Sequence, residues 1–444
     1  MRQRDILLFW FPLFASWLLM TAEGPIISAS INRLPDEVIM LAAMGIITSL
    51  SVTIESPIIN LLATSTALVQ DAHSYLMVRR FTLQLCVLLT IVAALVAFTP
   101  LFDLIVYRLL DVPDAVAEYV RPGMQIMVFW SAAIGWRRFL QGILIRHDHT
   151  KLIAWGTAIR LVASGGTAVG LAWWGQWAGV INGSLALMAG VLAEALYTTL
   201  ITLPVIRDEV LPAAPAEGEP LAYRDLLQFH VPLAATSVLI LLMQPLVTSS
   251  LARLDQPTLS LAAWPVLFQT VLMARAASLA LPEVIIARYD RGANFLPLRR
   301  FSYLLAGVVA AGMIVFTFTP LSNFYVFGVQ DMTEAAGDLV LSSLALFVLY
   351  PSLAVLTSWL RGLLIQGRVT RPVNIGMIIN LALTGAVLLI GVRLGWSGLP
   401  TAALALNLAA AAELVYLGWR TRLFLPPELP LISLRPAQST GVPS

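Results

Sequence analysis

The chain has 444 residues, 59% of them hydrophobic and only 12% charged, against about 25% charged in an ordinary soluble domain. Its near-neutral net charge of +2 says nothing about nucleic acid, and no nucleic-acid partner is expected. The single cysteine, Cys86, lies in an apolar stretch and excludes a disulfide framework and a thiolate metal site.

Apolar runs of about 20 residues, enough to cross the hydrocarbon core of a bilayer, recur along the whole length. In chain order the predicted helices cover 6–31, 38–69, 81–102, 117–145, 150–174, 178–205, 223–251, 257–287, 299–326, 335–366, 370–393 and 398–420. The first run is too long for a signal peptide and has no small-residue cleavage site. An all-α membrane protein with twelve transmembrane helices is therefore expected. With the N-terminus in the cytoplasm, seventeen Arg and Lys from Arg2 to Arg435 fall on that side, against Arg33, Arg108, Arg121, Arg253 and Arg393 opposite. That bias predicts both termini on the cytoplasmic side of the cytoplasmic (inner) membrane. His147-Asp148-His149 reads as a solvated loop rather than a metal site, and RPAQSTGVPS as a disordered tail. No cofactor is expected, and a monomer is.

The chain also repeats itself. FTPL at 98–101 recurs at 318–321, RRF at 79–81 recurs at 299–301, and GILI at 142–145 faces GLLI at 362–365. Pro25 matches Pro245 and Arg33 matches Arg253, all at a spacing of 220. Near the end the spacing slips to 219, where AEALY at 193–197 meets AELVY at 412–416. A constant register over so long a stretch predicts two six-helix bundles, 1–206 and 226–424, joined by a cytoplasmic linker at 207–225 and followed by a tail at 425–444. An even helix count gives both bundles one orientation, so a pseudo-twofold axis along the membrane normal should relate them. Bundles that rock about a midplane site would then alternate its access.

Ten ionisable groups fall at membrane depth: Glu23, Glu55, Glu194, Glu283, Glu413, Arg137, Arg138, Arg160, Arg275 and Arg361. Each arginine at a helix centre costs about 2.5–3.5 kcal/mol on insertion scales, so such residues face protein or a watery cavity. Glu194, Glu283 and Glu413 read as lying near cytoplasmic helix ends, within reach of water. The repeat sets Glu55 opposite Arg275, Gln141 opposite Arg361, Arg138 opposite Ser358, Arg160 opposite Asn380 and Glu23 opposite Met243. Glu55 and Arg275 are expected to meet as a gate or a charge-neutral clamp between helices 2 and 8. Pro57 frees a backbone carbonyl beside Glu55, and Thr21-Glu23-Gly24-Pro25 predicts a similar break in helix 1, echoed by Gln244-Pro245. Glu23 and Glu55 are the expected ion-coupling acids, because a desolvated carboxylate can exchange a proton near neutrality.

The stretch GWRRFLQGILI at 135–145 sets two arginines side by side. Neighbours on a helix point about 100° apart, so only one can face a given groove. Arg138 shares a face with Gln141, which predicts a polar set of Arg138, Gln141 and Arg361 on helices 4 and 10, with Arg137 pairing locally. Adding Arg160 and Arg275 gives several cations suited to a carboxylate or phosphate, hence a small anionic substrate. The competing reading is a cationic or amphipathic drug held by Trp10, Trp17, Trp130 and Trp136. Against an enzyme stand the lack of an Asp-rich box, a His/Cys cluster, a phosphate-cradling Gly loop or a Ser-His-Asp set.

The loop VQDAHSYLMVRRF does not carry the major facilitator signature. INR at 31–33, MLAAMGIITSL at 40–50, SPIINL at 56–61, DVPDAV before helix 4, GILIRHDHTKLI within it and LRGLLIQGRVTRPVNIGMI at 360–378 instead resemble the multidrug/oligosaccharidyl-lipid/polysaccharide flippase superfamily. Within it they look most like the progressive ankylosis family. That resemblance implies export of small organic anions such as citrate, nucleotide or pyrophosphate. The more distantly similar toxic-compound extruders imply ion coupling through acids of helix 1, where Glu23 answers, or of helices 7 and 10. A multidrug or lipid-linked sugar exporter is the alternative within the same superfamily.

Overall fold

A computed structural model describes residues 2–214, 220–289, 294–367 and 369–425. The predicted tail beyond Leu425 and part of the linker lie outside the described residues. The elements are α1 (Gln3–Ile31), α2 (Glu37–Leu68), α3 (Ala72–Phe98), α4 (Asp114–Ile126 and Trp130–Arg146), α5 (Thr150–Trp174) and α6 (Gly179–Val205). The second half supplies α7 (Tyr223–Leu251), α8 (Pro257–Arg288), α9 (Phe295–Phe318), α10 (Glu334–Phe347 and Tyr350–Gln366), α11 (Arg371–Leu394) and α12 (Gly398–Phe424).

Among the described residues ten helices are long and apolar enough to cross a membrane, and the pair making up α10, bent by 42°, gives an eleventh. The expectation was twelve. The shortfall is α4, whose two pieces carry Asp114, Glu118, Arg121, Arg137, Arg138 and Arg146 and so fall short of that apolar length. A second difference concerns α1, which runs unbroken through Gly24 and Pro25, whereas α7 is interrupted at Leu242. A Cβ on Gly24 would stand 2.6 Å from the Gln269 side chain of α8, which would have to shift to admit it.

The repeat governs the backbone. Six of the seven left-handed residues among those described come in mates 220 apart, Asp148 being the seventh: Asp36 (φ 57°) with Gln256 (49°), Asp111 (59°) with Asp331 (55°), and Gly175 (67°) with Gly395 (63°). Wide π-helical turns follow α3 and α9 at Leu104–Leu109 and Phe324–Val329, again 220 apart. The slip to 219 is absorbed in one turn, since α6 begins at Gly179 and α12 at Gly398.

The halves meet along α2 and α8, which cross where a Cβ on Gly45 would lie 2.7 Å from Pro265. Gly45 and Pro265 are repeat mates, so the axis relating the halves passes between them. Around it, contacts between the halves repeat in mated form. Trp10 Nε1 donates to the Ala277 carbonyl at 3.2 Å, and His230 Nε2 donates to the Pro57 carbonyl at 3.0 Å. Ser28 donates to Gln269 at 3.1 Å, and Thr248 to Ser49 at 3.4 Å. Arg33 reaches the Val329 carbonyl at 2.9 Å, and Arg253 the Leu109 carbonyl at 2.6 Å. The start of α1 thus packs on the second half, where Ile6 and Trp10 join Ile285, Phe295 and Trp359 in one apolar cluster. The start of α7 in turn bonds to α2 through His230 and through Asn60, which donates to the Leu233 carbonyl at 2.7 Å.

Candidate functional site: a cavity and its filled counterpart

The first half gathers its membrane-depth charges into one neighbourhood. Arg160 on α5 grips Glu23 on α1 with Nη2 at 2.6 Å and Nε at 3.0 and 3.1 Å. Glu194 on α6 takes Arg137 at 2.7 Å, Gln141 at 3.2 Å and Arg160 at 3.8 Å. Glu55 on α2 accepts from the Trp130 indole, and the Arg160 guanidinium lies 5.6 Å from that ring. Arg138 stands within electrostatic reach of Glu194 and Glu55. Three acids and three arginines therefore balance across α1, α2, α4, α5 and α6.

In the second half the matching places hold shorter or neutral side chains: Met243 for Glu23, Asn380 for Arg160, Thr357 for Arg137 and Ser358 for Arg138. A cavity of about 540 Å³ opens there among α7, α8, α10, α11 and α12, lined by these four residues together with Arg275, Arg361 and Glu413. Drug-sized pockets run about 300–1,000 Å³. Its body is apolar and aromatic, with Trp264, Phe268, Leu272, Tyr350 and Met377, and its polar groups are few. Glu413 is buried at 2% exposure, accepts Arg361 Nε at 2.9 Å on one oxygen and Asn380 Nδ2 at 2.9 Å on the other. Arg275 has no such partner. Its Nη1 donates to the Tyr350 hydroxyl at 3.1 Å, its guanidinium stacks 5.0 Å from that ring, and Nε is unbonded. Among the described residues no carboxylate lies within ion-pair distance of it. The cavity's formal charges sum to one net positive, from Arg275, Arg361 and Glu413.

Of the residues singled out in the sequence, the cavity collects Arg275 and Arg361. Arg138, Gln141, Arg160, Glu23 and Glu55 belong to the first-half cluster. Glu55 and Arg275 do not pair: within its own half Glu55 bonds Trp130, and Arg275 reaches only the hydroxyl of Tyr350, the repeat mate of Trp130. The set of Arg138, Gln141 and Arg361 is divided for a similar reason, because Gln141 bonds Glu194 and Arg361 bonds Glu413. The side-by-side arginines resolve differently from the i, i+3 reading. Arg137 and Gln141, four apart and so on one face, share Glu194, and Arg137 is the buried member of the pair.

Glu194 and Glu413 are the residues whose importance the sequence reading missed. They were expected near water, yet they are buried in the interior of α6 and α12 and act as the ion-pair centres of their halves. The available signal was their survival in both copies of AE(A/L)(L/V)Y. Glu283, by contrast, is exposed. The tryptophans proposed to hold a cation are engaged elsewhere, with Trp10 on Ala277, Trp130 on Glu55 and Trp136 on Thr199, and none of them lines the cavity. The carbonyl freed by Pro57 belongs to Thr53 and is taken by the Ser56 hydroxyl at 2.7 Å. His147 and His149 both contact Glu209 in the turn that follows α6, at 3.1 and 2.9 Å.

The arrangement of helices matches solved structures over nearly the full chain. An inward-facing multidrug resistance MATE family transporter superposes with a TM-score of 0.73 at 14% identity, covering 92% of this chain and 94% of that one. The fold is that of the MOP-superfamily transporters. The lipid II flippase MurJ in an inward closed conformation gives 0.72 at 13% identity, covering 94% and 87%. A MOP-superfamily transporter from Pyrococcus furiosus, described as having a binding pocket of reverse polarity, gives 0.65 at 13%, covering 95% and 96%. No family model matches the sequence, and no curated protein does.

Proposed function

We propose that the protein is a secondary transporter that moves an organic anion across the cytoplasmic membrane by alternating access, with the second-half cavity as its binding site. The observation that carries this is Arg275: a guanidinium facing a cavity with no carboxylate partner among the described residues. Burying such a charge is costly unless something pairs with it, and a fork of N–H donors suits a carboxylate or phosphate. Arg361 adds a second fork across the same space. The MOP fold, known from a MATE transporter and from MurJ, supports transport rather than chemistry. The likeness to the progressive ankylosis family in sequence supports an anion as the cargo, exported from the cytoplasm. The mated contacts between the halves supply the gates, Trp10 and His230 on the predicted cytoplasmic side and Arg33 and Arg253 on the other. Glu23 and Glu55 serve this reading as part of the balanced cluster that holds α1, α2 and α5 as one body.

The apolar lining favours one alternative within transport. Trp264, Phe268, Met243 and Met377 would accept the body of a drug or of a lipid-linked sugar as readily as that of an organic anion. Uptake into proteoliposomes decides between them, using labelled citrate, ATP and pyrophosphate beside a cationic dye, for wild type, Arg275→Gln and Arg361→Gln. Anion uptake that collapses in the folded arginine variants supports the anion reading. Dye movement that survives both changes transfers the protein to the multidrug class.

A further inference from the structure

We infer that Glu413 is a built-in competitor for the substrate, and that the cavity takes a doubly charged anion together with one proton. The inference rests on the anion-transport reading and assigns it a charge and a coupling residue. Glu413 already places a carboxylate on Arg361, with one oxygen toward the Nε fork and the other on Asn380. An incoming carboxylate or phosphate seeks the same fork, so it binds by displacing Glu413. The side chain so released stays at the wall of a largely apolar cavity, without its guanidinium. A buried carboxylate in that position is far costlier than the neutral acid, and it takes up a proton.

The charged groups that share the cavity lining with Glu413 are few. Arg361 comes from α10 and Arg275 from α8, while α11 contributes the neutral Asn380 and α7 the neutral Gln244. Once Glu413 is protonated, the two arginines carry two positive charges and nothing cancels them except cargo. A dianion plus one proton brings the site to neutrality. A monoanion leaves it positive, and a trianion leaves it negative. A neutral loaded site is the form that crosses a low-dielectric barrier at least cost. In the first half the same acid, Glu194, cannot act this way. Arg137, Arg160 and Gln141 all hold it, and Glu23 and Arg160 fill the place where the second half has its cavity.

Proteoliposomes containing a pH-sensitive dye, with malonate as a dianion or methanesulfonate as a monoanion, test this for wild type, Glu413→Gln and Arg361→Gln/Glu413→Gln. Wild type should move malonate with a stoichiometric proton flux and discriminate against methanesulfonate at least tenfold. Glu413→Gln keeps the shape and the Asn380 contact, so it should still carry malonate, with a lower KM and no linked proton movement. The double variant restores internal balance and should lose malonate transport while unfolding in detergent as wild type does, which separates a binding role from misfolding. Linked proton flux persisting in Glu413→Gln, or methanesulfonate carried as well as malonate, would overturn the inference while leaving anion transport standing. Malonate and methanesulfonate both immobile while the cationic dye moves would sink the anion reading and this inference with it.

Discussion

Glu194 and Glu413 are the same residue of a duplicated framework, and the two halves treat them differently. In the first half the acid is shared by Arg137, Arg160 and Gln141 and is fully buried. In the second it meets one arginine, whose side chain is 30% exposed, and one asparagine. The difference arises from five substitutions between the copies, at Glu23/Met243, Gln141/Arg361, Arg160/Asn380, Arg137/Thr357 and Arg138/Ser358. Long charged side chains fill the space in one copy, and their short mates leave about 540 Å³ in the other. A duplicated scaffold thus yields one lobe filled by paired charges and one that holds a cavity.

The largest effect expected from breaking this comparison is on stability. Glu194→Ala leaves Arg137 and Arg160, with side chains 5% and 12% exposed, without their common acid. Removing one partner of a buried ion pair costs about 3–5 kcal/mol. Glu413→Ala should cost clearly less, because the Arg361 side chain is already 30% exposed. Thermal unfolding of the purified protein in detergent measures both. Equal losses would mean that the cavity is dry and that the halves differ in shape alone.

Next in size is transport. Arg275→Gln removes a cation that no acid balances, so the fold should keep its stability while kcat/KM for the anion falls. A hydrogen bond to a charged group is worth about 1.5–3 kcal/mol, hence about 10- to 100-fold. Arg160→Gln should show the opposite pattern, with lost stability and little change in KM for the protein that remains folded. Initial-rate uptake at several anion concentrations, normalised to folded protein, separates the two.

This contrast also marks what could be seen in the sequence. Apolar length and the 220-residue register were enough for an all-α membrane protein of two like halves, because both depend on local composition. The repeat also flagged where the copies differ, and Arg275 and Arg361 came out of that list into the cavity. What could not be read was who bonds whom. Placing Glu55 opposite Arg275 by register assumed that mates face each other across the axis, whereas mates off the axis sit in separate lobes. Gly45 and Pro265 do meet, because they lie on the axis. Choosing Arg138 over Arg137 failed for a related reason: i, i+3 and i, i+4 partners both share a face with Gln141, and only the position of α6 decides between them.

A smaller and sharper test rewrites the first half as the second. Glu23→Met and Arg160→Asn install the mates' own residues. Each alone strands a charge, and together they remove the pair, so the double variant should be closer to wild type than the singles predict. A coupling of about 0.5–3 kcal/mol is the expected range for contacting groups, read from unfolding of all four proteins. Additive losses would mean that the Glu23–Arg160 contact does not hold α1 to α5.

The smallest effect concerns the contacts that tie α1 and α7 across to the opposite halves. Trp10→Phe and His230→Phe each delete one bond to a mated carbonyl, Ala277 or Pro57, at a cost of about 0.5–1.5 kcal/mol. If these bonds must break for the cavity to open to the cytoplasm, each deletion shifts the population of the open form by about two- to tenfold. A cysteine at the cavity-lining Leu279 in a Cys86→Ala background, labelled by a membrane-impermeant maleimide, reads that population. Because the two donors are repeat mates acting on mated carbonyls, their effects should be similar even though one is an indole and the other an imidazole. His230 also holds Thr64 at 2.9 Å, so its loss should be the larger by a small margin. Acceleration by Trp10→Phe alone would mean that α1 moves without α7, and that the twofold seen in the contacts does not extend to the opening.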